Sequence, residues 1–139
     1  RGQVPTADFA AERRCARAVL AAIEAGAVCA AHDVSSGGLV TALAEMMLGS
    51  WAKVELGLEI DVRGIESRGD FERLFSETGA YVLEVVPGFP ESLAAVPHVE
   101  LGRVTERREL RIRSESGEIV LGADELEERW GRSFREVLG

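Results

Sequence analysis

One run of residues concentrates the groups that could do chemistry. His32, Asp33, Ser35, Ser36, Gly37 and Gly38 all fall within AAHDVSSGGLVTALAEM, Ala30 to Met46. Adjacent glycines permit positive φ and let the backbone come close to a ligand. Ser35 and Ser36 offer hydroxyls, and the free N–H groups that open a helix attract anions. A phosphate or other anion site follows from that combination. Asp33 adds a carboxylate that could hold Mg²⁺, an ion that takes one or two carboxylates and leaves its other positions to phosphate oxygens and water. His32 could move a proton or donate to a phosphate. The same residues also suit a plain helix entry with a serine N-cap and a structural His–Asp pair. The spacing is not that of a P-loop, because GxxxxGK[ST] and its lysine are missing.

A second cluster, Ser76, Glu77 and Thr78 in LFSETGAY, precedes a strand-like run. It could line the same cleft, or it could be a turn closed by its own hydroxyls. His98 reads as a surface or edge residue. The mixed charges of Glu106–Leu110 read as a solvated hairpin. There is no Ser-His-Asp or Cys-His nucleophile arrangement. Cys15 and Cys29 lie in neither a CxxC nor a Cys/His metal spacing. One falls on a helical pattern and the other on a strand-like one, so both are expected as buried free thiols of a reducing compartment.

The elements that must position these groups show in the periodicity. Phe9, Arg13, Ala16, Leu20 and Ile23 recur at helical spacing, with Gly26 as a stop. AVCAAHDV is short and strand-like, SSGG breaks it, and Leu39, Ala42, Leu43, Met46 and Met47 then share one helical face. Val54, Leu56, Leu58, Ile60 and Val62 alternate with polar residues, the mark of a strand buried on one side. GDFERLFSETG predicts a short helix or turn, AYVLEVV a buried strand, and ESLAAV a short helix. HVELGRV and ELRIRSESGEIVL predict three strands, the last two joined by a turn near Ser116–Gly117. A closing helix carries Leu126, Trp130, Phe134 and Val137 as its apolar stripe. Asp124 with Glu127 resembles its capping box. Interleaved helices and hairpin-joined strands predict an α+β domain, a mixed and largely antiparallel sheet with helices packed on it.

The chain has 139 residues, 46% hydrophobic and 29% charged, enough for one domain with its own core. Its formal net charge of -8 argues against a nucleic-acid or anionic-membrane partner, which would call for a basic field. No apolar run reaches the roughly 18 residues of a membrane span, and no signal-peptide pattern opens the chain. A cytoplasmic location is expected. The start at Arg1, without an initiator Met, suggests a fragment of something longer.

AAHDVSSGGLVTALAEMMLG is similar to the signature of the second repeat of formylglycinamide ribonucleotide amidotransferase, the ATP-dependent synthetase of purine biosynthesis. That repeat reads His-Asp-x-Ser-(Asp/Glu/Ser)-Gly-Gly-Leu before an Ala-Glu-Met helix. The resemblance continues through the alternating strand at Val54–Val62, through LFSETGAYVLEV and through ELGRVTERRELRI. It covers Val4 to about Ile112. Other synthetases of the superfamily, for aminoimidazole ribonucleotide, selenophosphate, hydrogenase maturation and thiamine phosphate, have a glycine-rich turn at this place with different flanks.

The resemblance implies a single C-terminal-type domain, residues 1–139, of a longer synthetase with an AIR synthase C-terminal-domain-like fold. In that family two N-type and two C-type domains form a pseudo-dimer, and nucleotide and phosphoribosyl substrate bind between domains. ATP with Mg²⁺ activates the formylglycinamide carbonyl, and glutamine-derived ammonia displaces phosphate. The family's catalytic His and ATP-anchoring Lys belong to an N-type domain and have no match here, so the chain alone is expected to be inactive. Asp33 matches the Mg²⁺-holding Asp of the family's first repeat, whereas a second-repeat domain faces the pseudo-symmetric cleft, which in some members holds a nucleotide that is not turned over. Ligand contacts by Asp33 and Glu77 are implied rather than a catalytic role. Glu77, Thr78 and Gly79 match a substrate segment. Ser36 stands where an acidic residue is usual. Implied partners are ATP or ADP, the phosphoribosyl substrate, the N-type domains, a glutaminase subunit and a small bridging subunit. The alternatives are a non-catalytic structural or interaction domain of that enzyme, or a C-terminal domain of another superfamily synthetase.

Overall fold

The computed structural model describes residues 8–49, 56–77, 79–88 and 91–138, with the side chains of 91, 92, 131 and 133–138 set aside. Helix α1 (Phe9–Glu24) is started by Asp8, whose carboxylate accepts from the N–H groups of Ala10 and Ala11, both at 3.0 Å. These bonds satisfy two donors that helix geometry leaves orphaned, and they hold the Asp8 carboxyl below its ordinary range. The face α1 turns inward differs from the one the spacing of large residues predicts. Ala11, Cys15, Ala18, Val19 and Ala22 face the protein, whereas Phe9, Leu20 and Ile23 are exposed. Two apolar faces exist on this helix, and the one with small side chains packs because it permits close approach.

Strand β1 (Val28–Val34) leads through Ser35–Gly37 into α2 (Gly38–Leu48). β2 (Gly57–Asp61), α3 (Asp70–Phe75), β3 (Ala80–Val85) and α4 (Glu91–Ala94) follow. β4 (Gly102–Thr105), β5 (Glu109–Ser114), β6 (Gly117–Gly122) and α5 (Ala123–Leu138) complete the chain. The described residues form two sheets. β1 and β3 form an antiparallel pair, with Asp33 opposite Tyr81 and a bulge at Val28–Ala30. The larger sheet runs β4-β2-β5-β6, with β2 antiparallel to β4, parallel to β5, and β5 antiparallel to β6. The α+β expectation of a mixed, mostly antiparallel arrangement holds.

Helix α2 touches both sheets. Its Leu39, Ala42 and Leu43 join Val34, Ile60, Val62, Leu74, Leu110 and Ile112 in one buried cluster. The alternation of the β2 segment is as predicted for Ile60 and Val62, both buried, while Leu56 stays 39% exposed and Val54 lies outside the described residues.

Four expectations are corrected. β3 is not a buried strand: among the described residues it pairs with β1 alone, none of its residues is fully buried, and Tyr81 on it is exposed. Cys29 is exposed on the open face of β1, beside the bulge, and Cys15 is half-buried; both are free thiols. The Glu106–Leu110 segment is not a hairpin, because β4 and β5 do not pair with each other and flank β2 instead. The chain therefore crosses over the start of β2, and a Cβ on Gly57 would stand 1.7 Å from the Arg107 carbonyl oxygen. Asp124 and Glu127 form no capping box. α5 already begins at Ala123, and both carboxylates accept from Arg108, at 2.6 and 2.9 Å. Of the predicted α5 stripe, Leu126 packs on the core and Trp130 is 51% exposed; the Phe134 and Val137 side chains lie outside the described ones.

The outer face of the larger sheet is a ladder of alternating charge. Arg103 and Arg113 both reach Glu59, at 2.8 and 3.0 Å, and Arg111 bridges Glu109 and Glu118. Arg111–Glu109 lies within β5 and the other three pairs join neighbouring strands, each worth a few tenths of a kcal/mol to about 1 kcal/mol.

Candidate functional site

The strand–helix junction is built around two residues in left-handed backbone, Gly37 at φ 82° and Gly38 at φ 72°. Gly37 is the N-cap of α2, and no side chain caps the helix. The serine N-cap is thus replaced by glycine geometry, and Ser35 and Ser36 remain exposed. The junction is closed by two bonds to main-chain carbonyls: the Gly38 N–H donates to the Ser35 carbonyl at 3.0 Å, and the Thr41 Oγ1 hydroxyl donates to the Gly37 carbonyl at 3.1 Å.

The Gly37 N–H donates across the fold to Glu77 Oε1 at 2.8 Å. One backbone donor of the loop is therefore satisfied by a carboxylate that arrives just after α3. Gly38 itself lies against the last residues of α3, where a Cβ would stand 2.6 Å from Phe75 Cα and 2.7 Å from the Leu74 carbonyl oxygen. The two motifs picked out separately in the sequence are thus one structure. Thr78 lies outside the described residues. At Gly79 a Cβ would be 3.7 Å from Glu12 Oε1, which brings the first turn of α1 beside the same segment.

His32 is held at both ring nitrogens. Nδ1 lies 2.7 Å from the Asp33 carbonyl oxygen and Nε2 lies 2.9 Å from Glu45 Oε2. Its structural partner is thus Glu45 of α2, a residue the sequence pattern did not single out because nothing in it relates positions 32 and 45. The Asp33 carboxylate, 3.7 Å from Nδ1, is 66% exposed at the end of β1. Among the described residues no three His, Cys, Asp or Glu side chains converge as a metal site. Asp33 fits Mg²⁺ only as one carboxylate of an ion whose other ligands are phosphate oxygens and water. His98 is exposed, its Nδ1 2.8 Å from the Val96 carbonyl oxygen.

The sequence also gave no signal for the outer face of α3. Phe71 and Phe75, 80% and 46% exposed, stack with ring centroids 5.1 Å apart. A surface hollow of about 770 Å³ lies away from the loop, over the charged sheet face. Its Arg103, Arg111 and Arg113 are already paired with glutamates, so it is a neutralised ladder rather than an anion pocket.

Helix α3 is short and is secured by Asp70 and Arg73. Asp70 accepts from the Ser116 N–H at 2.8 Å and from Arg73 Nη1 at 3.0 Å. Hydrogen bonds from Ser116, with further help from Ser114 and Arg73, hold the Asp70 carboxyl well below the usual carboxylate range. A depressed folded pKa adds stability above the unfolded value and loses it as pH falls through the folded one. The thermal midpoint is therefore expected to drop as pH falls below about 4, the ordinary carboxylate value. In Asp70→Asn that part of the slope should be gone, as melting curves across the acid range would show.

The fold and loop define a class: an α+β domain whose glycine-rich strand–helix junction is braced by a carboxylate from a neighbouring helix. The family described as AIR synthase related protein, C-terminal domain, matches residues 1–115, and the chain belongs to that family. Solved structures share the fold. The PurL protein of Thermotoga maritima complexed with ATP aligns with a TM-score of 0.72 at 22% identity, over 90% of this chain and 23% of its own. The same organism's PurL complexed with FGAR aligns with a TM-score of 0.65 at 22% identity, over 87% of this chain and 21% of its own. The PurLQS structure from that organism gives 0.65 at 22% identity, over 89% of this chain and 23% of its own. The chain thus spans less than a quarter of the length of these solved chains. Among the described residues no helix is long and apolar enough to cross a membrane.

Proposed function

We propose that residues 1–139 form one C-type domain of a longer, ATP-dependent purine-biosynthesis ligase, and that the domain supplies one wall of an interdomain nucleotide or phosphate cleft. The reaction of that enzyme joins glutamine-derived ammonia to formylglycinamide ribonucleotide, giving formylglycinamidine ribonucleotide. The observation that carries the reading is the Glu77–Gly37 hydrogen bond, which joins the two motif segments at the end of β1. The family match and the ATP- and FGAR-complexed neighbours support it. In this reading Ser35, Ser36, Gly37, Gly38 and Glu77 face the ligand. Asp33 would hold Mg²⁺, which neutralises phosphate charge. His32, fixed between Glu45 and the Asp33 carbonyl, orients the end of β1. The catalytic groups, the glutaminase and bridging subunits, and a cytoplasmic setting belong to the rest of that assembly.

The test is ammonia- and ATP-dependent amidine formation by the intact protein. Asp33→Ala and Glu77→Ala are each expected to lower kcat/KM by about tenfold or more, equivalent to about 1.4 kcal/mol of transition-state stabilisation. Unchanged kinetics in both variants would reject the ligand-facing role. A second reading, a domain retained for packing against others, is favoured by the exposed Phe9, Leu20 and Ile23 on α1. In that case both variants keep activity, and replacing these three residues lowers it by weakening the assembly.

A further inference from the structure

We infer that Asp70 and Arg73 are positioning residues for the Gly37–Glu77 contact, linking the tip of the β5–β6 hairpin to the glycine loop. A helix of six residues cannot hold itself in place, because nucleation is unfavourable and so short a helix repays too little of it. The position of α3 must come from its tertiary anchors. Leu74, 4% exposed, is one of them. The others converge on Arg73, whose side chain is 7% exposed. Its Nε donates to the Ile65 carbonyl at 2.8 Å, Nη1 to Asp70 at 3.0 Å and Nη2 to Glu115 at 2.9 Å. Asp70 in turn accepts from the backbone N–H groups of Glu115 and Ser116, the two residues of the hairpin turn.

The C-terminal end of this clamped helix is the surface that Gly38 touches, and Glu77 follows two residues later. A shift of α3 by a few tenths of an ångström therefore moves the carboxylate away from the Gly37 N–H or presses Phe75 into Gly38. Neither Asp70 nor Arg73 faces the loop. They act through the helix between, and the guanidinium is the group that joins three chain segments at once. Its fixed fork of donors does this, and a lysine could not reproduce it.

Hydrogen exchange on the intact protein without ligand tests this independently of any nucleotide chemistry. Arg73→Met is expected to raise exchange of the Gly37 amide by about tenfold, with the amides of Leu58, Ile60 and Ile112 nearly unchanged. Glu77→Ala should expose the Gly37 amide to a similar degree, and adding Arg73→Met to it should produce little more. Arg73→Lys should recover only part of the protection. Glu115→Ala removes one exposed partner of Arg73 and leaves Asp70 bonded to the backbone N–H groups of the turn. It keeps the test valid if Arg73→Met unfolds, and it should raise Gly37 exchange by about threefold. A wild-type rate at Gly37 in folded Arg73→Met, or in Glu115→Ala if the former unfolds, overturns the inference. So does an equal rise across β2 and β5.

Discussion

Gly38→Ala is expected to destabilise the domain by about 3 kcal/mol and to open the loop. Left-handed backbone costs a non-glycine residue roughly 1–2 kcal/mol, because Cβ approaches the following carbonyl oxygen. To that is added a steric cost, since the new Cβ would lie 2.6 Å from Phe75 Cα and 2.7 Å from the Leu74 carbonyl oxygen. Neither obstacle is the end of a flexible side chain, so α2 and α3 must part. Gly26 supplies the control. It also has positive φ, 69°, but nothing lies within 4 Å of its Cβ direction. Gly26→Ala should cost only the backbone part, about 1 kcal/mol. Urea unfolding of both variants isolates the close approach, and equal losses would show that α3 does not press on the loop.

Gly57→Ala is expected to be the more severe, losing about 4 kcal/mol or more and leaving the larger sheet unable to close. Here no left-handed backbone is involved. The cost is wholly the crossing chain, with the Arg107 carbonyl oxygen at 1.7 Å and the Glu109 carbonyl oxygen at 2.4 Å from a Cβ. Because β4 and β5 sit on opposite sides of β2, the three residues between them have no longer path available. A soluble variant with a wild-type unfolding midpoint would show that the crossing does not pass where these distances place it.

That crossing also shows where the sequence stops being legible. The alternation around β2 and the turn at Ser116–Gly117 identify strands correctly, since a strand's period depends on its own residues. Which strands pair does not. Consecutive strands are usually neighbours, so Glu106–Leu110 resembles a hairpin. The missing side chain at Gly57 lets the crossing chain pass, and that at Gly102 lets β4 approach β2. For α1 the periodicity favoured large residues, whereas close packing selected the face of Ala11, Ala18 and Ala22. In the candidate site, the glycines were legible because positive φ and close approach leave few alternatives. The bond from Gly37 to Glu77 and the one from His32 to Glu45 were not, because no periodic relation connects those positions.

The placement of β2 has a consequence for the order in which the domain can form. Leu58 pairs with Val104 on one side and with Leu110 on the other, both far later in the chain. During synthesis β2 therefore emerges with neither ladder available and with its apolar face waiting for partners. Such long-range pairings close slowly, because the loop entropy comes before any contact rewards it. α1, β1 and α2 are contiguous in sequence, and β1 already contacts α2 within that stretch. The glycine loop is thus born early, and the helix and carboxylate that brace it arrive before the central sheet is sealed.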